Sequence, residues 1–208
     1  MSAPAARAAA IVLAAGEASR YGSQKLLTPL GGRPLLQHAV DAANASSLTP
    51  VIIVLGADAD RVATGIDFGR ARIVRNADYA TGQASSLRAG LGVIASGAGL
   101  TEAVRADAVV VLLGDQPMVT AALLDALLAR QRETNAAAVV CVQDGRRSPP
   151  TLLHRDLWPE LEELRGDVGA RDVLARRSDV ALLVVERALA RLDDVDTRDD
   201  LARLAPRS

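Results

Sequence analysis

Short, uninterrupted aliphatic runs alternate along this chain with longer amphipathic stretches, and this alternation constrains the fold more than any other feature of the sequence. Several runs are apolar at every position, as expected for strands that are covered on both faces of a sheet. The predicted strands are Ala9–Leu13, Val51–Leu55, Ala71–Val74, Ala108–Leu113, Ala137–Val142 and Ala181–Val184.

The intervening stretches carry helical periodicity and helix-start signals. Pro34 suits a first helical turn, and Thr120 is a predicted N-cap. The predicted helices are Pro34–Ala45, Ala59–Gly65, Ser85–Ala95, Ala121–Thr134, Leu157–Leu164, Val168–Arg176 and Thr197–Leu204. Alternating strands and helices predict an α/β fold with a doubly wound, mostly parallel sheet flanked by helices. We expect Gly145-Arg-Arg-Ser-Pro-Pro150 to be a turn within the same domain.

Composition limits the class of partner. The formal net charge is −1 with acidic and basic residues interspersed, so there is no basic stripe for nucleic acid and no polybasic membrane patch. The apolar stretch Ala8–Ala15 is too short for a membrane span. Cys141 is the single cysteine, which excludes an intrachain disulfide, and we expect it to be buried. We therefore expect one domain over residues 1–208, located in the cytoplasm.

The loop after the first predicted strand, Leu13–Lys25, is the first candidate site. Gly16 and Gly22 allow backbone N–H groups to approach an anion closely, while Arg20 and Lys25 supply mobile positive charge. A phosphate-binding loop is one interpretation, and an ordinary glycine-rich connection with solvated charges is the other.

Two better-known phosphate loops do not match. No Gly-x-x-x-x-Gly-Lys-Ser/Thr run occurs in the chain. Gly90-Leu-Gly-Val-Ile-Ala95 resembles a dinucleotide fingerprint only loosely, because it lies in a helical pattern rather than after a strand. His38 and His154 lie on separate predicted elements without a nucleophile signature, so covalent catalysis is not indicated.

Acidic residues supply the second candidate site. Asp115 follows the predicted strand Ala108–Leu113 directly, at the sheet edge where α/β folds bind ligands. It is either a turn former or one of the carboxylates that hold Mg²⁺ together with substrate phosphates. Asp196 ends an acidic turn ahead of the last predicted helix, where its side chain would serve as the N-cap.

Five segments in order resemble the molybdenum cofactor cytidylyltransferase family, part of the MobA-like group in the nucleotidyltransferase superfamily. They span nearly the whole chain, which makes the resemblance more specific than any single motif. The segments are Leu-Ala-Ala-Gly with Ser-Arg-x-Gly-x-x-Lys at 13–25, Asn76–Gly90, Leu113-Gly-Asp-Gln-Pro117, Gly166-Asp-Val-Gly-Ala-Arg171 and Asp194–Leu201.

The resemblance implies a Rossmann-like nucleotide-diphospho-sugar transferase fold and a Mg²⁺-dependent reaction. In that reaction CMP passes from CTP to molybdopterin, and pyrophosphate is released. Arg20, Lys25 and Asp115 would be catalytic, and Asp115 and Asp196 would hold the metal. Ala14, Ala15 and Gly16 would bind the nucleotide, with Gly82 and Ser86 near the base. Leu-Ala-Ala-Gly favours CTP over GTP, since the Ala15 methyl leaves less room for a purine.

The acceptor is the less specific half of the resemblance. Asp167, Arg171 and the Arg146-Arg147 turn are candidates to meet an anionic pterin phosphate, or are surface ion pairs. Tyr21 replaces the methionine common in the first loop, and Ser148-Pro-Pro150 stands where relatives carry Gly-His-Pro. A molybdoenzyme or its chaperone would be a partner. Alternatives are an NAD(P)H-dependent oxidoreductase of the nicotine-blue type, a cytidylyl or guanylyl transferase for another phosphorylated small molecule, and a non-catalytic binding module.

Overall fold

The computed structural model describes residues 7–16, 24–97 and 106–205. The strands are β1 (Ala8–Ala14), β2 (Pro29–Leu30), β3 (Arg33–Pro34), β4 (Val51–Leu55), β5 (Arg72–Arg75), β6 (Ala108–Leu113), β7 (Ala138–Gln143), β8 (Arg146–His154) and β9 (Val180–Val184). The α-helices are α1 (Leu35–Ala45), α2 (Ala59–Gly65), α3 (Gln83–Ser96), α4 (Ala121–Thr134), α5 (Trp158–Glu162), α6 (Ala170–Leu174) and α7 (Arg198–Leu204). The predicted elements are present, with ends that agree or differ by one or two residues.

One seven-stranded sheet forms the centre of the described structure, in the order β5-β4-β1-β6-β8-β7-β9. Strands β5, β4, β1 and β6 are parallel neighbours, and β9 is parallel to β7. Only β8 within this sheet runs antiparallel to its neighbours, β6 and β7. The predicted α/β fold with a mostly parallel sheet is confirmed.

Helices cover both faces of the sheet, and the alternation of side chains along β1 shows why. Ala8, Ala10 and Val12 belong to a core shared with α1, α2 and α4. Ala9 and Ile11 belong to a second core shared with α3, α5 and α6. Because both faces of β1 are buried, an apolar residue is needed at every position of the strand.

Strand β8 corrects one prediction. Of the segment Gly145–Pro150, predicted as a turn, only Gly145 lies in a hairpin turn, and the other five residues belong to β8. Asp144 and Gly145 both have positive φ, 51° and 76°, and connect Gln143 to its partner Arg146. An Asp-Gly pair between two strands is a strong hairpin signal. The prolines obscured it, and β8 accommodates them at a register shift next to Cys141.

Three smaller expectations have clear outcomes. The Thr120 hydroxyl accepts a hydrogen bond from the Leu123 N–H at 3.2 Å, so Thr120 is the N-cap of α4 as predicted. Cys141 is fully buried, and this burial raises the pKa of its thiol to about 12. In the described part of the chain, no helix is both long enough and apolar enough to cross a membrane.

Candidate functional site

The sheet brings the ends of β1 and β6 to one edge. The two strands are parallel and in register from Ala8 with Ala108 to Leu13 with Leu113, so the residues after them emerge side by side. The Gly114 N–H donates to the Leu13 carbonyl at 2.9 Å and extends this pairing past β6. A Cβ on Gly114 would lie 2.8 Å from the end of the Leu36 side chain and 3.2 Å from the Ala14 methyl, so glycine allows close packing at this turn.

Lys25 lies across this edge between two carboxylates. Its Nζ is 2.8 Å from Asp115 Oδ2 and 3.2 Å from Asp196 Oδ1. The Lys25 side chain is 13 % exposed, whereas the Asp196 side chain is 58 % exposed. Burial alone would lower the pKa of Lys25, but the charges and hydrogen bonds of Asp115 and Asp196 together hold it above its usual value of 10.5. Lys25 is therefore a permanent cation in this site.

Residues on either side of Lys25 hold it in place. Gln24 is 8 % exposed, and its side chain accepts from the Leu26 N–H at 3.4 Å and donates to Asp58 Oδ2 at 3.3 Å. Leu26 is buried in the core beneath. The Lys25 backbone is thus anchored on both sides, and its side chain extends towards the acidic residues.

Asp196 reaches the site through its buried neighbour. Val195 is fully buried with Leu30, Leu35 and Leu204 in a small apolar cluster, and its N–H donates to the Asp115 carbonyl at 3.0 Å. Thr197, not Asp196, caps α7, in a reciprocal pair with Asp200. The interpretation of Asp196 as the N-cap is therefore wrong, and its carboxylate is left to pair with Lys25.

Together these residues surround a cavity of about 250 Å³, named here the carboxylate cavity. Its lining includes Ala14, Gly16, Gln24, Lys25, Asp115 and Asp196. Asp115 Oδ1 is buried and has no hydrogen-bond partner in the described structure. A buried carboxylate oxygen of this kind normally has a partner, and a divalent cation would supply one.

Two residues that the sequence reasoning did not select also belong to this edge. Partial desolvation and the charge of Asp115 raise the pKa of Asp194 to about 6, against a hydrogen bond with Gln116 that lowers it. Gln116 is fully buried, and its Nε2 donates to the Leu192 carbonyl and to Ser148 Oγ, both at 3.2 Å. Both residues lie in segments that carry the family resemblance, Gln116 within 113–117 and Asp194 at the start of 194–201, and the acidic run at 193–196 was a further signal for Asp194.

The remaining predicted nucleotide contacts lie elsewhere or outside the described residues. Ala15 is 4 % exposed and packs in the core with α3, and Ser86, also 4 % exposed, accepts from Asn76 Nδ2 at 3.0 Å. Neither of these residues, nor Gly82, lines the carboxylate cavity. Arg20 lies outside the described residues. Contacts of Ala15, Gly82 and Ser86 with a base remain predictions.

A second cavity of about 260 Å³, named here the arginine cavity, lies beside the first, and Leu13 lines both. Arg147, Ser148, Asp167 and Arg171 contribute polar groups to it, so three of the predicted acceptor residues meet here. Its apolar lining comes from both halves of the sheet and from helices, including Leu13, Leu87, Val111, Leu113, Val140 and Leu174. Arg146 is not among its lining residues.

Gly82 connects the arginine cavity to the start of α3. It has φ of +108°, and a Cβ there would lie 2.2 Å from the backbone carbon of Gly166. The Gly166 carbonyl accepts from the Ala84 N–H at 3.2 Å, and Asp167 Oδ1 accepts from the Gln83 N–H at 3.4 Å. The close backbone approach at Gly82 lets Gly166 and Asp167 accept hydrogen bonds from the start of α3, and residues 167–169 line the cavity.

We predict that Gly82→Ala lowers the free energy of unfolding by about 2–4 kcal/mol, because the residue needs a glycine-only conformation and its new methyl would collide with backbone. Gly92→Ala is the matched control, since Gly92 lies in the same helix with open space at its Cβ. That change should leave stability unchanged or raise it by up to about 1 kcal/mol. Urea unfolding of both variants checks this, and equal stabilities would contradict the contact.

Comparison with known proteins identifies the family. Residues 10–180 match the model described as the MobA-like NTP transferase domain. The chain belongs to this family. The resemblance inferred from the five sequence segments is confirmed at the level of this family.

Two relatives in the MobA-like family match this chain over almost the full length of both proteins. The chain is 30% identical over 201 residues to the nicotine blue oxidoreductase of Paenarthrobacter nicotinovorans, covering 93% of this chain and 94% of that protein. It is 30% identical over 198 residues to the purine catabolism protein PucB of Bacillus subtilis, covering 91% and 92%. The bifunctional protein GlmU of Sinorhizobium fredii is 37% identical over 133 residues, 63% of this chain but only 28% of GlmU.

Solved structures agree with the fold. A homologue of Rv0371c from Mycobacterium sp. strain JC1 has a TM-score of 0.77 and 31% identity, covering 95% of this chain and 94% of that one. Rv0371c of Mycobacterium tuberculosis, solved in complex with manganese, has a TM-score of 0.71 and 27% identity, covering 95% of this chain and 97% of that one.

Proposed function

We propose that this protein is a Mg²⁺-dependent cytidylyltransferase that transfers CMP from CTP to molybdopterin and releases pyrophosphate. The observation that carries the proposal is the placement of Lys25 and two carboxylates at the adjoining ends of β1 and β6, beside Gly16. In a MobA-like transferase this is the edge at which a parallel sheet binds ligands.

The chemistry needs no protein nucleophile. An oxygen of the acceptor's phosphate forms a bond to the α-phosphorus of CTP, and the bond between that phosphorus and the bridging oxygen breaks, so pyrophosphate leaves with the electron pair. The protein's contribution is positioning and charge neutralisation. Among the described residues, Lys25 is the cationic side chain that lines the carboxylate cavity. Its ammonium would stabilise the negative charge that develops on the leaving pyrophosphate.

Asp115 and Asp196 would hold the divalent cation. The Oδ1 atom of Asp115, which is buried without a hydrogen-bond partner, supports this assignment. The Asp196 carboxylate is exposed and does not cap α7, because Thr197 is the N-cap. When bound, the cation would neutralise charge on phosphate oxygens. The manganese in the Rv0371c structure supports a divalent ion in this family, and Mg²⁺ is our choice because its sites are typically completed by substrate phosphates.

The arginine cavity is the proposed acceptor site. It adjoins the carboxylate cavity through Leu13, so an acceptor bound there would present its phosphate to the nucleotide. Arg147 and Arg171 offer positive charge to an anionic arm, and the aliphatic lining would cover the ring system. Molybdopterin carries both parts, and another phosphorylated small molecule of similar size is the nearest alternative.

A second candidate is an NAD(P)H-dependent oxidoreductase, favoured by the 30% identity to nicotine blue oxidoreductase across almost the full chain. The one run that resembles a dinucleotide fingerprint does not support it. Gly90 lies within α3, and a Cβ there would be 2.8 Å from Ile11, so this glycine allows helix and sheet to pack closely.

Thermal unfolding with CTP, GTP, ATP and NADPH, each with and without Mg²⁺, separates the two candidates. CTP with Mg²⁺ at 100 times its dissociation constant should add about 2.7 kcal/mol to the free energy of unfolding. GTP and ATP should add less at the same concentration, and NADPH should add nothing. Stabilisation by NADPH but not by CTP with Mg²⁺ would contradict the transferase proposal and favour the oxidoreductase.

A further inference from the structure

Lys25 differs from every other basic side chain in the protein. Lysine and arginine together number 24, and Lys25 is the one lysine among them. A guanidinium is broad and planar, whereas an ammonium is a compact point charge. The one compact cationic side chain of this protein lies between the two proposed metal ligands.

We propose that the Lys25 ammonium occupies the place of the divalent cation in the free protein, so that the site binds free metal only weakly and binds it tightly together with the nucleotide. The assignment of that place rests on the proposed function. Lys25 would then determine which form of the metal is bound, in addition to its contact with phosphate.

The contacts support this role. Nζ lies 2.8 Å from Asp115 Oδ2 and 3.2 Å from Asp196 Oδ1, so the ammonium pairs with both of the carboxylates that would hold the metal. The Lys25 side chain is largely withdrawn from water, at 13 % exposed, so its attraction to Asp115 is screened less than that of a surface pair. A free divalent ion must displace this ammonium before it can bind both carboxylates.

The ligand count explains why the nucleotide changes the outcome. Among residues 7–16, 24–97 and 106–205, no group of three His, Cys, Asp or Glu side chains is arranged to hold a metal ion. Two carboxylates leave most of the coordination of Mg²⁺ to water or phosphate. A bound triphosphate supplies the missing oxygens and also offers Lys25 a new anionic partner, so the exchange no longer leaves an unpaired ammonium.

Manganese alone is the first probe, because its free and bound forms are distinguished by electron paramagnetic resonance. Wild-type protein should bind free Mn²⁺ weakly, and Lys25→Met should bind it at least tenfold more tightly. Lys25→Arg keeps the positive charge and should stay weak. Arg75→Met is the charge-matched control, since Arg75 pairs with the exposed Asp60 and does not line the carboxylate cavity, and it should behave as wild type.

Adding Asp115→Asn to Lys25→Met should remove the gained affinity, which assigns the new metal to this site. An affinity in Lys25→Met equal to that in wild type and Arg75→Met would overturn the inference. So would a gain that survives in the double variant, because the metal would then be bound elsewhere.

A measurement on the wild-type protein covers the case in which Lys25→Met does not fold. Because Lys25 is the one lysine, reductive methylation can modify only its amine and the α-amino group. Without metal, Lys25 should react slowly, and millimolar Mg²⁺ should accelerate its modification at least several-fold by displacing it from the carboxylates. An unchanged rate at saturating metal would show that lysine and metal bind together, against the inference.

The same samples distinguish this inference from the proposed function. Mn²⁺ binding to wild type should strengthen when CTP is added. If the Lys25→Met gain is seen but no nucleotide strengthens metal binding, Lys25 still occupies the cation position and the transferase proposal fails. If CTP strengthens metal binding and Lys25→Met shows no gain, the transferase proposal stands and this inference fails.

Discussion

Replacing Asp115 by Asn should lower the rate of CTP- and acceptor-dependent pyrophosphate release by about 10³, the upper end of what loss of one transition-state contact costs. The substitution removes a carboxylate whose Oδ2 pairs with Lys25 and whose buried Oδ1 lacks a partner. The amide is nearly the same size, so the backbone hydrogen bond from Val195 to residue 115 should persist. Mg²⁺ should also no longer stabilise the protein with CTP.

Asp60→Asn is the matched control for this prediction. It removes the same charge from a surface ion pair with Arg75, and the Asp60 side chain is 88% exposed. Its rate should stay within about twofold of wild type, since surface changes of this kind cost little. Thermal unfolding of both variants establishes that the loss in Asp115→Asn is not a loss of folded protein. Wild-type turnover in folded Asp115→Asn would remove Asp115 from the mechanism.

Replacing Lys25 by Met should lower kcat by about 10²–10³, roughly 3–4 kcal/mol in the barrier. The methionine keeps the unbranched apolar stem but removes the charge that would stabilise the leaving pyrophosphate. The Km for CTP should rise as well, because the same ammonium would contact the phosphates of the bound nucleotide. Steady-state assays that vary CTP at saturating Mg²⁺ measure both effects.

This loss of activity is expected alongside a gain in affinity for free metal, and the opposite directions make the pair informative. A variant that merely disturbs the fold would lose both properties. Lys25→Arg keeps charge and should recover part of kcat, though the planar guanidinium would fit a compact position less well. Arg75→Met should change neither quantity. An undiminished kcat in Lys25→Met would show that Lys25 does not stabilise the leaving pyrophosphate.

The predicted preference for CTP over GTP depends on Ala15, which does not line the carboxylate cavity. The Ala15 methyl is buried in the core shared with α3, and its carbonyl accepts from the Ala57 N–H at 3.3 Å. Any effect of Ala15 on the base therefore acts through the position of the loop around it as well as through the size of its side chain. The preference for CTP over GTP stays a prediction for the ligand panel.

Local pattern determined most of the architecture. Uninterrupted aliphatic runs such as Ala108–Leu113 predicted strands buried on both faces, and the position of Asp115 after that run predicted its place at the sheet edge. The β1–β6 pairing then brings Asp115 close to the loop that contains Lys25, since parallel strands end on the same side. The strand and the position of Asp115 after it could be predicted from the sequence because they depend on local periodicity, whereas the pairing of β1 with β6 is an observation of the structure.

Strand β8 and the arginine cavity show where local pattern was insufficient. Pro149 and Pro150 reduce strand propensity, and only the register shift against β7 beside Cys141 allows them in a central strand. Segment 166–169 precedes α6 and contacts Gly82 at the start of α3. No periodicity in the sequence relates these two segments. Contacts of this kind depend on how elements pack in three dimensions, so the sequence alone did not reveal them.

The sequence by itself determined the family and the alternating α/β fold, and it predicted Lys25 and Asp115 as site residues at the sheet edge. Only the tertiary structure decided the role available to Asp196. Burial of Val195 and its hydrogen bond to Asp115 bring Asp196 to Lys25, while the Thr197–Asp200 pair caps α7 instead. The physical reason is that hydrophobic burial and backbone pairing between distant segments determine where the carboxylate lies, whereas the local sequence left both roles open.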